Sequence, residues 1–241
     1  MLLRLLLAAS APLLLSAGAI TGSFPSCSSL GNFGRLIGQT CQLGDFTISD
    51  AGFSATATPS SAAPLTASQI GITAIQGDAG VDFGLTGPFS SPLGVTTVYR
   101  FDYLIDPDTE VIITYGLSFD DSTSSAAAAD AARAQAIAGS SIAARICVGA
   151  AFTGGPEASN CRGFFAQLLA NANNRNPLVF FPFATNIVDV NLVMTMQGGS
   201  QLAAVSSRSG FTPEPRLGIA GGLVMLALIW RERSKARRAG K

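Results

Sequence analysis

The chain contains no histidine. A Ser-His-Asp or Cys-His catalytic arrangement therefore cannot be assembled from it, and the imidazole that most often moves protons in enzymes is missing. Cysteine occurs only four times and never as Cys-x-x-Cys, so with no histidine the usual zinc-ligand spacings are excluded and no metal or cofactor is expected. No Gly-x-x-x-x-Gly-Lys phosphate loop and no Asp-x-Asp-x-Asp-Gly calcium loop occurs. Charge is scarce, 12% of residues against 48% hydrophobic, although part of that bias belongs to two apolar ends. Formal net charge is zero over 241 residues. That balance hides an asymmetry: between Ile20 and Phe211 seven basic residues face thirteen acidic ones, a charge of about −6. An acidic body argues against nucleic acid as a partner.

What is present begins with an export signal. Residues 1–19 carry one positive charge at Arg4, an apolar stretch, and a small-x-small close at Ala17-Gly18-Ala19. This is the pattern of a secretory signal peptide cleaved after Ala19, with signal peptidase and the export machinery as its handlers. Export into an oxidising compartment makes disulfides available to the cysteines.

The other end has three parts in fixed order. Pro213-Glu214-Pro215 is stiff and extended, because proline fixes its own φ and disfavours helix at the residue before it. Leu217 to Trp230 is uncharged and contains Gly218, Gly221 and Gly222, which allow a partner helix to approach closely. Arg231, Arg233, Lys235, Arg237, Arg238 and Lys241 follow as a basic tail. Such an order reads as a membrane anchor with a cytoplasmic basic end and Trp230 at the boundary. The anchor is short, since 14 residues span roughly 21 Å as a helix against a hydrocarbon core of roughly 30 Å.

The Pro-Glu-Pro motif, the glycine-containing apolar segment and the arginine-rich end together resemble the PEP-CTERM sorting signal of bacterial exported proteins. The resemblance covers the tail only. It implies recognition by an exosortase near Pro213, Glu214 and Pro215, and delivery to the cell surface or extracellular space, usually in species that make extracellular polysaccharide. The alternative is a single-pass membrane protein that is never processed. Cys41 followed by Gly44-Asp45-Phe46, near the start of a chain that ends in Pro-Glu-Pro, also resembles a recurring PEP-CTERM ectodomain type with no settled activity.

Cys27 and Cys41 enclose thirteen residues, and so do Cys147 and Cys161. Four cysteines allow three connectivities; local pairing is the economical one, and crossing to the other pair stays open at this stage.

Between the ends, short alternating segments are separated by Gly, Pro, Asp and Asn turns. Ile70–Ile75, Val81–Leu85 and Ile142–Val148 alternate as strands. Val188, Val190, Leu192, Met194 and Met196 define one apolar face, and Leu202–Val205 is expected to be the last strand. The clearest period runs through Val95, Tyr99, Phe101, Tyr103 and Ile105 and resumes in Val111, Ile113, Tyr115, Leu117 and Phe119, joined by Asp106–Glu110. That pattern predicts a long antiparallel hairpin. Thr56–Pro64 reads as a proline-broken loop, and the alanine-rich 122–139 as either a helix or an exposed loop.

The expected architecture is mainly β, an antiparallel β-sandwich or jelly-roll-like domain over 20–206. Residues 1–19 form the signal peptide, 207–216 a spacer with the Pro-Glu-Pro motif, 217–230 a single transmembrane helix and 231–241 the basic tail. Acidic groups at Asp106, Asp108 and Glu110 and at Asp120-Asp121 are candidates for a carboxylate pair or a Ca²⁺ site, but acids in turns ordinarily face solvent. Tyr99, Phe101, Tyr103, Phe180, Phe181 and Phe183 invite a sugar-stacking reading against the commoner role of core. The expectation is a non-enzymatic structural or adhesive protein of the envelope or extracellular matrix, with a carbohydrate-binding or carbohydrate-active protein as its rival and extracellular polysaccharide as a further contact.

Overall fold

The computed structural model describes residues 24–60, 62–77, 80–107, 111–120, 139–153 and 160–212. The leader at 1–19, the segment 122–138, Asp108, Glu110, Asp121 and everything from Pro213 onward, including the sorting motif, anchor and basic tail, lie outside the described residues.

Two one-turn helices come first, α1 (Cys27–Leu30) and α2 (Phe33–Leu36), and thirteen strands follow among the described residues. These are β1 (Cys41–Leu43), β2 (Phe46–Thr58), β3 (Gly71–Gly77), β4 (Gly80–Ser90), β5 (Thr96–Pro107), β6 (Val111–Asp120), β7 (Ser140–Val148), β8 (Phe152–Thr153), β9 (Asn160–Cys161), β10 (Phe164–Asn171), β11 (Leu178–Thr185), β12 (Val188–Gln197) and β13 (Gln201–Thr212). One sheet has the order β1-β2-β5-β12-β7-β10, the other β11-β6-β13-β4-β3, and β8 and β9 form a small ribbon. All the strand pairs are antiparallel. The result is a β-sandwich; among the described residues no helix is long and apolar enough to cross a membrane.

Period two decides what fills the space between the sheets. Tyr99, Phe101, Tyr103 and Ile105 of β5, Val188 to Met196 on alternate positions of β12, and Ile142, Ala144, Ile146 and Val148 of β7 point inward and are buried. Phe83, Leu85, Phe89, Tyr115, Leu117 and Val205 meet them from the other sheet. Phe83 lies on Tyr103 with ring centroids 5.0 Å apart, and Phe89 on Tyr99 at 5.4 Å. Each such side chain contributes about 1.5–3 kcal/mol when removed from water.

The predicted hairpin of β5 and β6 does not form. Both strands exist, but β5 is flanked by β2 and β12, and β6 by β13 and β11 in the opposite sheet. Pro107 is the last residue of β5 and is paired with Phe46, so β5 has no free edge left for β6. Alternation fixes the face a strand buries and leaves its neighbour undetermined. The chain therefore arches from one sheet to the other.

Two bulges reset the period. In β2 the register with β5 slips between Ser49 and Gly52, with Asp50 at φ 51°, and the buried positions change from Phe46 and Ile48 to Ala51. In β6, Gly210 faces Thr114 and Phe211 faces Ile112, which leaves Ile113 with no opposite residue. Ile112 is accordingly buried together with Tyr115, in place of the expected Ile113.

Two boundaries also differ from expectation, and two strands appear that the alternation did not single out. β2 continues to Thr58 before Pro59 ends it, and Phe164–Asn171 and Leu178–Thr185 are full strands. β13 runs to Thr212, so Ser207–Thr212 is sandwich and not spacer, held by β6 throughout and by β4 as far as Gly210.

Candidate functional site

All four cysteines pair locally. Cys27 bonds Cys41 and Cys147 bonds Cys161, and no free cysteine is left. The first bridge ties α1 to β1. The second closes a loop that leaves the end of β7, forms the β8–β9 ribbon and returns into β10.

That second loop is anchored to the outer face of the six-stranded sheet by Asp189. Its Oδ2 accepts a hydrogen bond of 2.7 Å from the Phe152 amide. Two positions along β12 on the same face, Asn191 donates through Nδ2 to Asp102 Oδ1 at 2.5 Å. Asp102 stands opposite Asn191, and Asp189 opposite Leu104, so the two carboxylates are diagonal neighbours with backbones roughly 7–8 Å apart. Burial pushes Asp189 up to about 6; the Phe152 amide opposes the rise, while the Asp102 and Asp50 charges add to it. Asp102 is raised from its ordinary value, also by burial, against the lowering effects of the Asn191 hydrogen bond and of the Arg100 guanidinium. Its Oδ2 is buried with no hydrogen-bond partner among the described residues, beside Gly52, whose missing side chain leaves the room.

This carboxylate pair was not among the sequence candidates. Asp102 and Asp189 lie 87 positions apart in the chain, and only the pairing of β5 with β12 brings them together. The alternation did hold a signal, because both fall on polar positions of strongly alternating strands. Of the acids singled out from the sequence, Asp106 is exposed at the end of β5, where its carbonyl accepts from Thr47 Oγ1 at 3.2 Å. Among the described residues no group of three or more acids or cysteines is placed to hold a metal ion.

The aromatic candidates divide sharply. Tyr99, Phe101, Tyr103 and Phe181 are core. Tyr103 Oη lies 2.9 Å from Tyr115 Oη and 2.8 Å from Ser207 Oγ, and burial pushes the Tyr103 phenol up to about 12 despite both bonds. Tyr99 Oη accepts from the Leu65 amide. Phe180 and Phe183, in contrast, are 69% and 47% exposed.

Those two rings belong to one open flank. β10 and β11 are edge strands of the two sheets and adjoin on the same side of the sandwich. Phe164, Phe165, Leu169, Leu178, Phe180 and Phe183 are all exposed there. The register of β11 against β6 jumps between Phe180 and Thr185, and the looped-out stretch carries Phe183 to Phe164. Their rings meet edge to face, 6.3 Å apart at 77°. Phe183 also comes near Gly149, at the mouth of the second disulfide loop. The opposite flank, where β1 adjoins β3, is closed by α1 and α2, with Phe33 packed edge to face on Phe101.

No family model matches the chain, and no curated protein sequence does. Among solved structures, it is similar to the family 11 carbohydrate-binding module from Clostridium thermocellum in complex with a β-1,3-1,4-mixed-linked tetrasaccharide. The two are 7% identical over 70% of this chain and 89% of that one, with a TM-score of 0.26. A second likeness, described with carbohydrate-binding modules of the β-sandwich superfamily, is 10% identical over 79% of this chain and 63% of that one, with a TM-score of 0.28. Overlaps this loose carry no argument about a ligand. The sandwich rests on the chain's own strand pairing.

Proposed function

We propose that the chain is a non-catalytic, exported component of a bacterial envelope or extracellular matrix, a disulfide-braced β-sandwich delivered by a PEP-CTERM tail. The observation that carries this reading is the local pairing of all four cysteines. Such bridges persist outside the cytoplasm and are rare within it, which agrees with a signal peptide at 1–19. The sorting motif at Pro213, Glu214 and Pro215, the anchor from Leu217 to Trp230 and the basic tail supply the address. An exosortase is the partner that the resemblance implies.

Replacing Pro213, Glu214 and Pro215 by alanine tests the address. The full-length form then accumulates in the inner membrane, while the unaltered chain reaches the surface or medium. Unchanged processing and location in the variant would remove the sorting role.

The exposed rings favour a second reading, in which the open flank holds extracellular polysaccharide. Flat apolar rings gain contact against sugar faces, and four phenylalanines are presented on one side. Retention of the protein on its host's polysaccharide, lost on changing Phe180 and Phe183 to alanine, would support this reading. Equal retention of the variant would exclude the flank as the contact.

A further inference from the structure

Natural sheets blunt their edges with short strands, prolines, bulges, charges or covering elements, because a bare edge pairs with other chains. Among the described residues, three of the four outer edges of the two large sheets are blunted. β1 has three residues and covers only Phe46–Ile48 of β2, which is bulged beyond them at Asp50. β11 carries Pro182 and a broken register. β3 is covered at Ile72, whose amide donates to the Gly31 carbonyl at 3.4 Å, and at Gln76, whose side chain fills the space beside Gly44.

β10 is different. Its sequence, Phe164-Phe-Ala-Gln-Leu-Leu-Ala-Asn171, contains no charge, proline or glycine, and it pairs with β7 without interruption over all eight residues. Phe165, Gln167 and Leu169 are exposed on its outer face, Phe165 at 43% and Leu169 at 49%. The main chain shows which amides face outward. The Asn171 amide bonds the Asn174 carbonyl at 2.9 Å and the Leu169 carbonyl accepts from Asn174 Nδ2 at 3.3 Å. Residues of that parity turn their backbone groups away from β7, so Phe165, Gln167 and Leu169 direct theirs to the open edge. Asn174 closes this edge beyond Leu169, whose carbonyl keeps a second lone pair, so that among the described residues Phe165, Gln167 and Leu169 are left to face outward, a stretch centred on Gln167.

We propose that β10 pairs with β10 of a second copy of this chain, antiparallel about a two-fold axis through Gln167. Directly opposite residues of an antiparallel pair share a face. Centring on Gln167 sets Phe165 against the partner's Leu169, and Gln167 against the partner's Gln167. The outer face is thus palindromic, apolar-amide-apolar, as an isologous contact requires. Centring one residue later would set Phe165 against an asparagine and Gln167 against a leucine. The pairing joins two six-stranded sheets into one and covers Phe165 and Leu169. It concerns the sandwich alone and stands whatever the tail does.

The test is Gln167→Cys in the full chain, exported by its host and run on a non-reducing gel, with Ile75→Cys on β3 as control. A hydrogen-bonded antiparallel pair places its Cα atoms about 5.5 Å apart, inside the range that a disulfide spans. Gln167→Cys gives a band of twice the chain mass that collapses on reduction, and Ile75→Cys does not. A Gln167→Cys chain as monomeric as the control, or cross-linked to a different protein, overturns the proposal. Gln167→Lys sets two ammonium groups face to face: light scattering then reads half the mass of the unaltered protein at an unchanged melting temperature. An unaltered protein that is monomeric, or a lysine variant that stays dimeric, also overturns it.

Discussion

Tyr103 of β5 and Tyr115 of β6 place their phenol oxygens 2.9 Å apart in the centre of the sandwich, one from each sheet. Ser207 of β13 completes the group and donates to the Phe83 carbonyl at 3.2 Å. Each hydroxyl has one proton. With the Ser207 proton committed to Phe83, Tyr103 donates to Ser207 and Tyr115 donates to Tyr103. The two strands that the alternating pattern reads as hairpin partners are joined here across the core.

Removing a hydroxyl from this chain of bonds has unequal consequences. Tyr103→Phe deletes two bonds and Tyr115→Phe one. Tyr103→Phe is expected to cost about 1–3 kcal/mol, and Tyr115→Phe less, because an unsatisfied buried donor costs more than a vacant acceptor. Urea unfolding of the two variants measures the difference. Equal costs, or a neutral Tyr103→Phe, would contradict the assigned direction.

Asp189 sets a pH dependence of definite sign. Its folded-state value of about 6 lies above the roughly 3.9 of an unfolded aspartate, so the native state binds more protons between those limits. Its contribution to stability is full below about 4 and is lost as pH rises through about 6. Asp102 shifts in the same direction. Asp189→Asn keeps an oxygen for the Phe152 amide and removes the charge. The stability of the variant relative to the unaltered protein should therefore rise between pH 4 and 7. A difference that is constant with pH would contradict the burial of this carboxylate.

How much of this was legible in the sequence depends on what each feature rests on. β5, β7 and β12 were legible because their apolar sets are local and period two is intrinsic to a strand. The Cys27–Cys41 and Cys147–Cys161 pairs were legible for a similar reason, as their loops are short. The arch at Pro107 was not, since a strand's neighbours are chosen by the whole sheet. Asp50 and Ile113 broke the period at bulges that no local residue announces, and Ile112 rather than Ile113 went inside. Asp102 met Asp189 through the β5–β12 register alone. Phe180 and Phe181, adjacent in sequence, ended outside and inside, as alternation along β11 requires.

The second disulfide should stabilise through the loop it closes. Its 14-residue separation corresponds to about 3 kcal/mol of loop entropy. Cys147→Ala combined with Cys161→Ala is expected to lower stability by that order in chemical unfolding. The Cys27–Cys41 bridge, with the same separation, should give a similar loss. A variant as stable as the unaltered chain would show that the loop is held by Asp189 and packing without the bridge.

Mass spectrometry of the mature protein taken from its own host tests the central claim most directly. The account predicts an N-terminus at Ile20, a C-terminus near Pro213-Glu214-Pro215, and a mass lowered by the hydrogens lost in forming Cys27–Cys41 and Cys147–Cys161. A chain that still extends from Met1 to Lys241 with free thiols would contradict it.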